Sequence, residues 1–114
     1  MIEIRYSDDW SFSSFTNEEY ISEMIKTDQF KASSAILFDN FKIHSKQKFF
    51  LKNIGDCFYA TYSGDYYENG VRITNLVVQF VKDKKLFTLI GSSFPEDFSS
   101  NQKQFLKTFD TFKL

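Results

Sequence analysis

The sequence predicts an α+β fold. An antiparallel meander of about five strands is flanked by an N-terminal and a C-terminal amphipathic helix in a two-layer, single-domain arrangement over residues 1–114. Three observations lead there. The middle of the chain is a run of apolar alternations separated by turn signals. Helical periodicity occurs only near the two ends. A chain of 114 residues with 42% hydrophobic and 25% charged residues has the size and composition of one soluble domain with a core of its own. That core must be built largely from phenylalanine, because 15 Phe stand beside 6 Tyr and 1 Trp. One proline and four glycines leave little scope for long disordered stretches.

Each element has its own signal. "IEIRYS" sets Ile2, Ile4 and Tyr6 against Glu3 and Arg5, the pattern of a half-buried strand. "SDDWSFSS" reads as a polar loop that also carries Trp10 and Phe12. In "FTNEEYISEMIKTDQF", Thr16 and Glu19 form a capping box, and Phe15 can staple to Tyr20. Tyr20, Ile21, Met24 and Ile25 then share a face, which predicts a helix over residues 17–29. "AILFDNFKIHS" and "KQKFFLKNIG" read as two strands, the first broken at Asp39-Asn40, with Gly55-Asp56 as a turn. "CFYATYSGDYY" and "VRITNLVVQFV" are strands joined at Asn69-Gly70, the dipeptide that favours tight hairpins. The run Leu76-Val77-Val78 marks the second of these as a central strand buried on both faces. "KDKK" turns the chain into a last strand, "LFTLIGSS". Ser93 and Glu96 then read as a second capping box with Pro95 in the first turn. Phe98, Phe105, Phe109 and Phe112 recur at helical spacing, with Leu106 at the margin, and predict a lid over the sheet.

The chemistry is sparse. His44 is the sole histidine, so no zinc site can be assembled from histidine pairs. No serine occupies a G-x-S-x-G elbow, and "IGSS" has too few glycines for a phosphate loop. Asp8, Asp9, Asp39, Asp56, Asp65, Glu68, Asp83, Glu96 and Asp97 read as turn and helix-start residues, without calcium-loop spacing. Cys57 is the sole cysteine and reads as a small buried hydrophobe, which precludes an intramolecular disulfide. Net charge is −1, from 14 basic and 15 acidic residues, the wrong balance for a nucleic-acid binder. Lys42, Lys46, Lys48 and Lys52 form the densest basic stretch and read as a solvated strand edge. The start of the chain lacks the apolar run of a signal or membrane-spanning segment, so a cytoplasmic protein that uses neither membrane nor cofactor is expected. Tyr62, Tyr66 and Tyr67 gather beside the hairpin in "YSGDYYENG" and are the partner-binding candidates.

From Gly55 onward, "GDCFYATYSGDYYENGVRITNLVVQFVKDKKLFTLIGSSFPEDFSSNQKQFLKTFDTFKL" resembles the PsbP-like fold group. That group includes the photosystem II extrinsic protein, the Mog-type Ran-binding proteins, DcrB-type proteins and the Eag chaperones of type VI secretion. The resemblance lies in a glycine before a strand, a hairpin, a long strand, a charged turn, a further strand and a closing helix. It covers about the second half of the chain; the opening "MIEIRYSDDWSF" is short for the group. It implies a non-catalytic scaffold that binds another protein, such as an adaptor, an effector chaperone or a toxin-neutralising immunity protein. The alternatives are a small-ligand carrier with a Phe-lined cavity between helix and sheet, and a hydrolase built on converging carboxylates.

Overall fold

The computed structural model describes residues 2–7 and 15–113; the loop carrying Trp10 and Phe12 lies outside them. The elements run β1 (Ile2–Ser7), α1 (Asn17–Lys26), α2 (Gln29–Ser34), β2 (Phe38–Leu51), β3 (Gly55–Tyr66), β4 (Arg72–Lys82), β5 (Lys85–Ser93) and α3 (Phe98–Asp110). Short 3₁₀ turns at Ala35–Leu37 and Pro95–Asp97 lead into β2 and α3. The five strands form one sheet in the order β1-β5-β4-β3-β2, every pair antiparallel. Strands β2 to β5 are a meander, and β1 adds to the free side of β5.

Helix α1 begins as its sequence requires. The Glu19 N–H donates to Thr16 Oγ1 at 3.2 Å, and the Thr16 N–H donates to Glu19 Oε1 at 3.0 Å. Its end departs from the predicted boundary at residue 29. Thr27 leaves the helix in extended conformation, and its hydroxyl donates to the Glu23 carbonyl at 2.8 Å. A threonine that bonds back onto the preceding turn competes with the helical ladder. The chain restarts as α2 at Gln29, a break that apolar periodicity alone does not reveal. From the sheet, Lys46 Nζ donates to the carbonyls of Met24 at 3.1 Å and Thr27 at 2.9 Å. A cation thus meets the negative end of α1.

The two-layer expectation is corrected. Strands β3 and β4 are apolar on both faces. Phe58, Ala60, Tyr62, Ile73 and Val77 pack with Tyr20, Ile21 and Met24 of α1 and Phe30 of α2. Cys57, Tyr59, Leu76, Val78 and Phe80 pack with Phe105 and Phe109 of α3. Successive strand residues point to opposite faces, so these clusters lie on the two sides of the sheet. The helices therefore form two separate outer layers. Strand β4 is central and buried on both faces, as the Leu76-Val77-Val78 run predicts.

Several boundaries differ from expectation. The two strands read before Gly55 are one 14-residue strand, β2. Its irregularities fall between Asp39 and Lys42 and between Ile43 and Ser45. Asn40 absorbs the first bulge at φ 52°, a conformation that asparagine tolerates better than most residues. The turn predicted at Gly55-Asp56 lies earlier, where the Ile54 N–H donates to the Leu51 carbonyl at 3.1 Å. Gly55 then opens β3 at φ 103°. The Asn69-Gly70 hairpin has Gly70 at φ 69°, but it is wider than a two-residue turn. The Tyr66 N–H donates to the Val71 carbonyl at 3.1 Å, leaving residues 67–70 as the loop. Asn69 contributes its side chain, whose Oδ1 accepts from the Val71 N–H at 2.9 Å.

The second capping box does not form. Ser93 Oγ donates to the Phe94 carbonyl at 2.9 Å and accepts from Asn101 Nδ2 at 3.0 Å. Pro95 instead starts the 3₁₀ turn that precedes α3. The phenylalanine stripe does face the sheet: Phe105 and Phe109 are buried, with Phe98, Leu106 and Phe112 half-buried beside them. Close seating needs Gly91, because a Cβ there would stand 2.4 Å from Phe105 Cγ. Gly64 plays the same part on the opposite face, where a Cβ would meet Phe38 at 2.7 Å.

This packing sets a stability test. Phe105→Ala should cost about 3–5 kcal/mol, the range for truncating a buried aromatic ring. Gly91→Ala, which adds atoms instead of removing them, should cost about 1–3 kcal/mol by overpacking. Urea melts of both variants check the pair. An unchanged midpoint for Gly91→Ala would contradict the tight seating of α3.

Candidate functional site

One end of the sheet carries an apolar rim. The antiparallel register brings the start of β2, the end of β3, the start of β4 and the end of β5 to the same edge: Phe38 opposes Tyr66, Asp65 opposes Arg72, and Thr74 opposes Ser93. The residues just beyond these pairs are apolar and exposed: Ile36 at 68%, Leu37 at 63%, Tyr67 at 60% and Phe94 at 54%, with Val71 between the last two at 38%. The Tyr67 N–H donates to the Leu37 carbonyl at 3.3 Å, which ties the hairpin to the entry of β2. Beneath this junction, Asp65 accepts from Asn40 Nδ2 at 2.9 Å and from Arg72 Nη1 at 3.0 Å. Those two donors hold the Asp65 carboxyl below its ordinary value.

The three tyrosines singled out by sequence occupy different environments. Tyr62 is a core residue, 6% exposed, with its ring against Phe30, Phe38 and Phe41. Tyr66 is half-buried, with its ring 4.8 Å from that of Phe38. Tyr67 alone projects into solvent. Tyr66 ends β3 and stays against the sheet, whereas Tyr67 opens the hairpin loop, which accounts for the contrast between them. Ile36, Leu37 and Phe94 were missed by sequence reasoning. Ile36 falls within a segment that reads as strand, but the strand starts two residues later, and Phe94 follows a strand with no periodicity to orient it.

Behind the rim, a cavity of about 360 Å³ lies between the α1/α2 layer and the sheet. Its walls include Phe30, Phe38, Tyr62 and Tyr66, with Asn75, Gln79 and Thr88 from the sheet and Glu3 from β1. The polar groups are chained together. Tyr20 Oη donates to Gln79 Oε1 at 2.7 Å, and Gln79 Nε2 donates to Thr88 Oγ1 at 3.2 Å. Asn75 Nδ2 donates to Tyr62 Oη at 2.9 Å. Burial raises the Tyr20 phenol well above its usual value, so it stays a neutral donor.

On the α3 face the fold makes a pairing that sequence reasoning did not foresee. His44 Nε2 lies 2.7 Å from Ser63 Oγ, which lies 2.7 Å from Thr74 Oγ1. Ser45 and Thr61 hydroxyls meet at 2.8 Å beside them. Serine next to histidine is the beginning of a nucleophile–base arrangement. Here Ser63 is only 4% exposed, and the hydroxyls link β2, β3 and β4 rung by rung. Cross-strand hydroxyl pairs of this kind stabilise sheets.

The remaining candidates are engaged in structure. Cys57 is fully buried, and desolvation pushes its thiol up to about 12. Strand β2 is an edge strand, as the lysine stretch suggests. Of those lysines, Lys46 caps α1 and Lys48 meets Asp56 at 3.3 Å. Asp8 and Asp9 lie outside the described residues, among which no three His, Cys, Asp or Glu side chains gather as metal ligands would. Among the same residues no helix is long and apolar enough to cross a membrane.

No protein-family model matches the chain, and no curated protein matches it in sequence. Among solved structures it is similar to PA94 of Pseudomonas aeruginosa, a protein of unknown function proposed as a regulator. The superposition has a TM-score of 0.68 and covers 100% of this chain and 83% of PA94 at 12% identity. At that identity the likeness is one of fold.

The Asp65 junction gives a pH test. Its carboxyl is depressed in the fold, so its stabilising contribution is present above the unfolded carboxyl value of about 4 and is lost as pH falls through the folded value. The urea midpoint difference between the native protein and Asp65→Asn should therefore be constant near neutrality and shrink below about pH 4. A difference that persists unchanged to lower pH would mean that the charge on Asp65 contributes nothing.

Proposed function

We propose that this protein is a non-catalytic binding module that docks another protein on the apolar rim formed by Ile36, Leu37, Tyr67, Val71 and Phe94. The observation that carries this reading is the clustering of five exposed apolar side chains at one edge of the sheet. Contiguous exposed apolar surface marks interaction sites in soluble proteins. Tyr67 supplies a rigid aromatic anchor with a polar tip, the residue type most enriched at binding hot spots. Half-buried Tyr66, stacked on Phe38, contributes support more than contact. The edge is also firm, since the Asn40–Asp65–Arg72 cluster fastens the bulge in β2 to the adjoining strands. A rim with little freedom to lose on binding keeps the cost of association down.

The resemblance to the PsbP-like group supports the same class of role, with adaptor, effector chaperone and immunity protein as its specific forms. A cytoplasmic setting fits these roles. The hydrolase reading has less support: the two acidic residues of β3 are engaged, Asp56 with Lys48 and Asp65 with Asn40 and Arg72, and Ser63 is withdrawn from the surface.

The test is affinity capture from the native host with the whole protein and with two rim variants, followed by titration of the recovered partner. Leu37→Asp and Tyr67→Ala should each weaken binding by about 2 kcal/mol or more, some thirtyfold or greater, while thermal melting stays within a few degrees of the native protein. His44→Ala should bind as the native protein does. Full affinity in both rim variants would remove this surface from consideration, and a measured catalytic activity lost in His44→Ala with folding intact would replace the reading altogether.

A further inference from the structure

A second site, distinct from the rim, lies in the cavity between the α1/α2 layer and the sheet. Its volume of about 360 Å³ falls within the range of small-molecule pockets. On its wall stands Asn75, 4% exposed, whose Oδ1 accepts no hydrogen bond among the described residues. A buried acceptor without a donor loses the hydrogen bond that water gives it in the unfolded chain. The sequence accepts that cost on the central strand, where Asn75 sits between Thr74 and Leu76 in an otherwise apolar run. The other amide end is fixed by Tyr62, so a simple packing role for the side chain does not require the free oxygen.

We infer that this cavity binds a small organic cation, a primary amine with an apolar or aromatic body, whose N–H groups supply the donor that Asn75 lacks. Three features of the wall select that chemistry. The Asn75 oxygen is an acceptor. Four aromatic residues, Phe30, Phe38, Tyr62 and Tyr66, belong to the lining, and aromatic rings attract cations and apolar bodies alike. Glu3 of β1 adds a carboxylate, and among the described residues the lining includes no lysine or arginine. Leu37 belongs to both this wall and the rim, and Tyr66 lies beside the rim, so the two sites adjoin; Asn75, Gln79 and Thr88 belong to the cavity alone.

The experiment is a titration of the full, isotope-labelled chain with three probes of similar shape, followed by NMR: 2-phenylethylamine, 2-phenylethanol and 3-phenylpropionate. The Asn75 side-chain amide is itself a reporter. Saturable shifts at Asn75, Gln79 and Thr88 are expected with 2-phenylethylamine, at an affinity at least tenfold above the other two probes. Asn75→Leu, close in volume but without the acceptor, should lower that affinity at least tenfold. Because a core variant can fail to fold, Glu3→Gln on the exposed edge strand provides the second arm, and it should narrow the preference for the amine over the alcohol severalfold. Absence of saturable shifts with all three probes at millimolar concentration would leave water as the only partner of Asn75 and overturn the proposal. So would preferential binding of 3-phenylpropionate, the result expected if the amide stands turned over with its NH₂ group unpaired. Undiminished amine binding by both variants would overturn it as well. None of these results depends on the rim, whose own test uses Leu37 and Tyr67.

Discussion

A sheet with two apolar faces needs two covers, and this demand organises the whole molecule. It originates in β3 and β4, where neighbouring positions such as Leu76, Val77 and Val78 are buried alike although they point in opposite directions. Neither face can be left to solvent, since each buries several large side chains at about 1.5–3 kcal/mol apiece. Helices α1 and α2 take one face and α3 takes the other. The α3 cover is seated by a missing side chain, since Gly91 admits the Phe105 ring; on the other face Gly64 admits Phe38 of the neighbouring strand β2. The phenylalanines at the end of the sequence are thus half of a sandwich and not an ornament of its terminus.

The two faces are not filled alike. The α3 side is dry and aromatic around Phe80, Phe105 and Phe109, and its polar groups are paired into the hydroxyl ladder of Ser45, Thr61, Ser63 and Thr74. The α1/α2 side leaves a gap near the β1–β5 edge, where Asn75, Gln79 and Thr88 replace apolar residues. Helix α1 stops at Lys26 and α2 is a single short element. The break between them lies by β2, where Lys46 reaches the Thr27 carbonyl, whereas the gap is set by the polar residues of β4 and β5. The rim at the end of the sheet stands outside both covers.

Much of this was legible in the residues. The capping box at Thr16 and Glu19, the doubly buried character of β4, the glycine conformation at Gly70 and the inward face of α3 follow from local pattern and physical propensity. Layering was not legible, because a continuous apolar run shows that both parities are buried without showing which helix serves which parity. The fusion of β2 was hidden by Asn40, whose left-handed backbone allows a bulge where the residue type suggests a stop. The Ser93–Glu96 box failed for a tertiary reason: Ser93 Oγ is taken by Asn101 and the Phe94 carbonyl. The same limit applied to the sites. Tyr67 could be named from the hairpin, but its neighbours Leu37 and Phe94 arrive from strands distant in sequence, and so does the Ser63 partner of His44. Long-range pairing is what a single sequence conceals best.

The order of the covers along the chain has a consequence for synthesis. Helices α1 and α2 leave the ribosome before β2 to β5, so one face of the sheet grows onto an existing support. Helix α3 follows β5, so the face with Cys57, Leu76, Val78, Phe80 and Leu89 waits on the last described element for its cover. A chain cut short after β5 would keep that face open, and exposed apolar surface of this kind invites association with other chains.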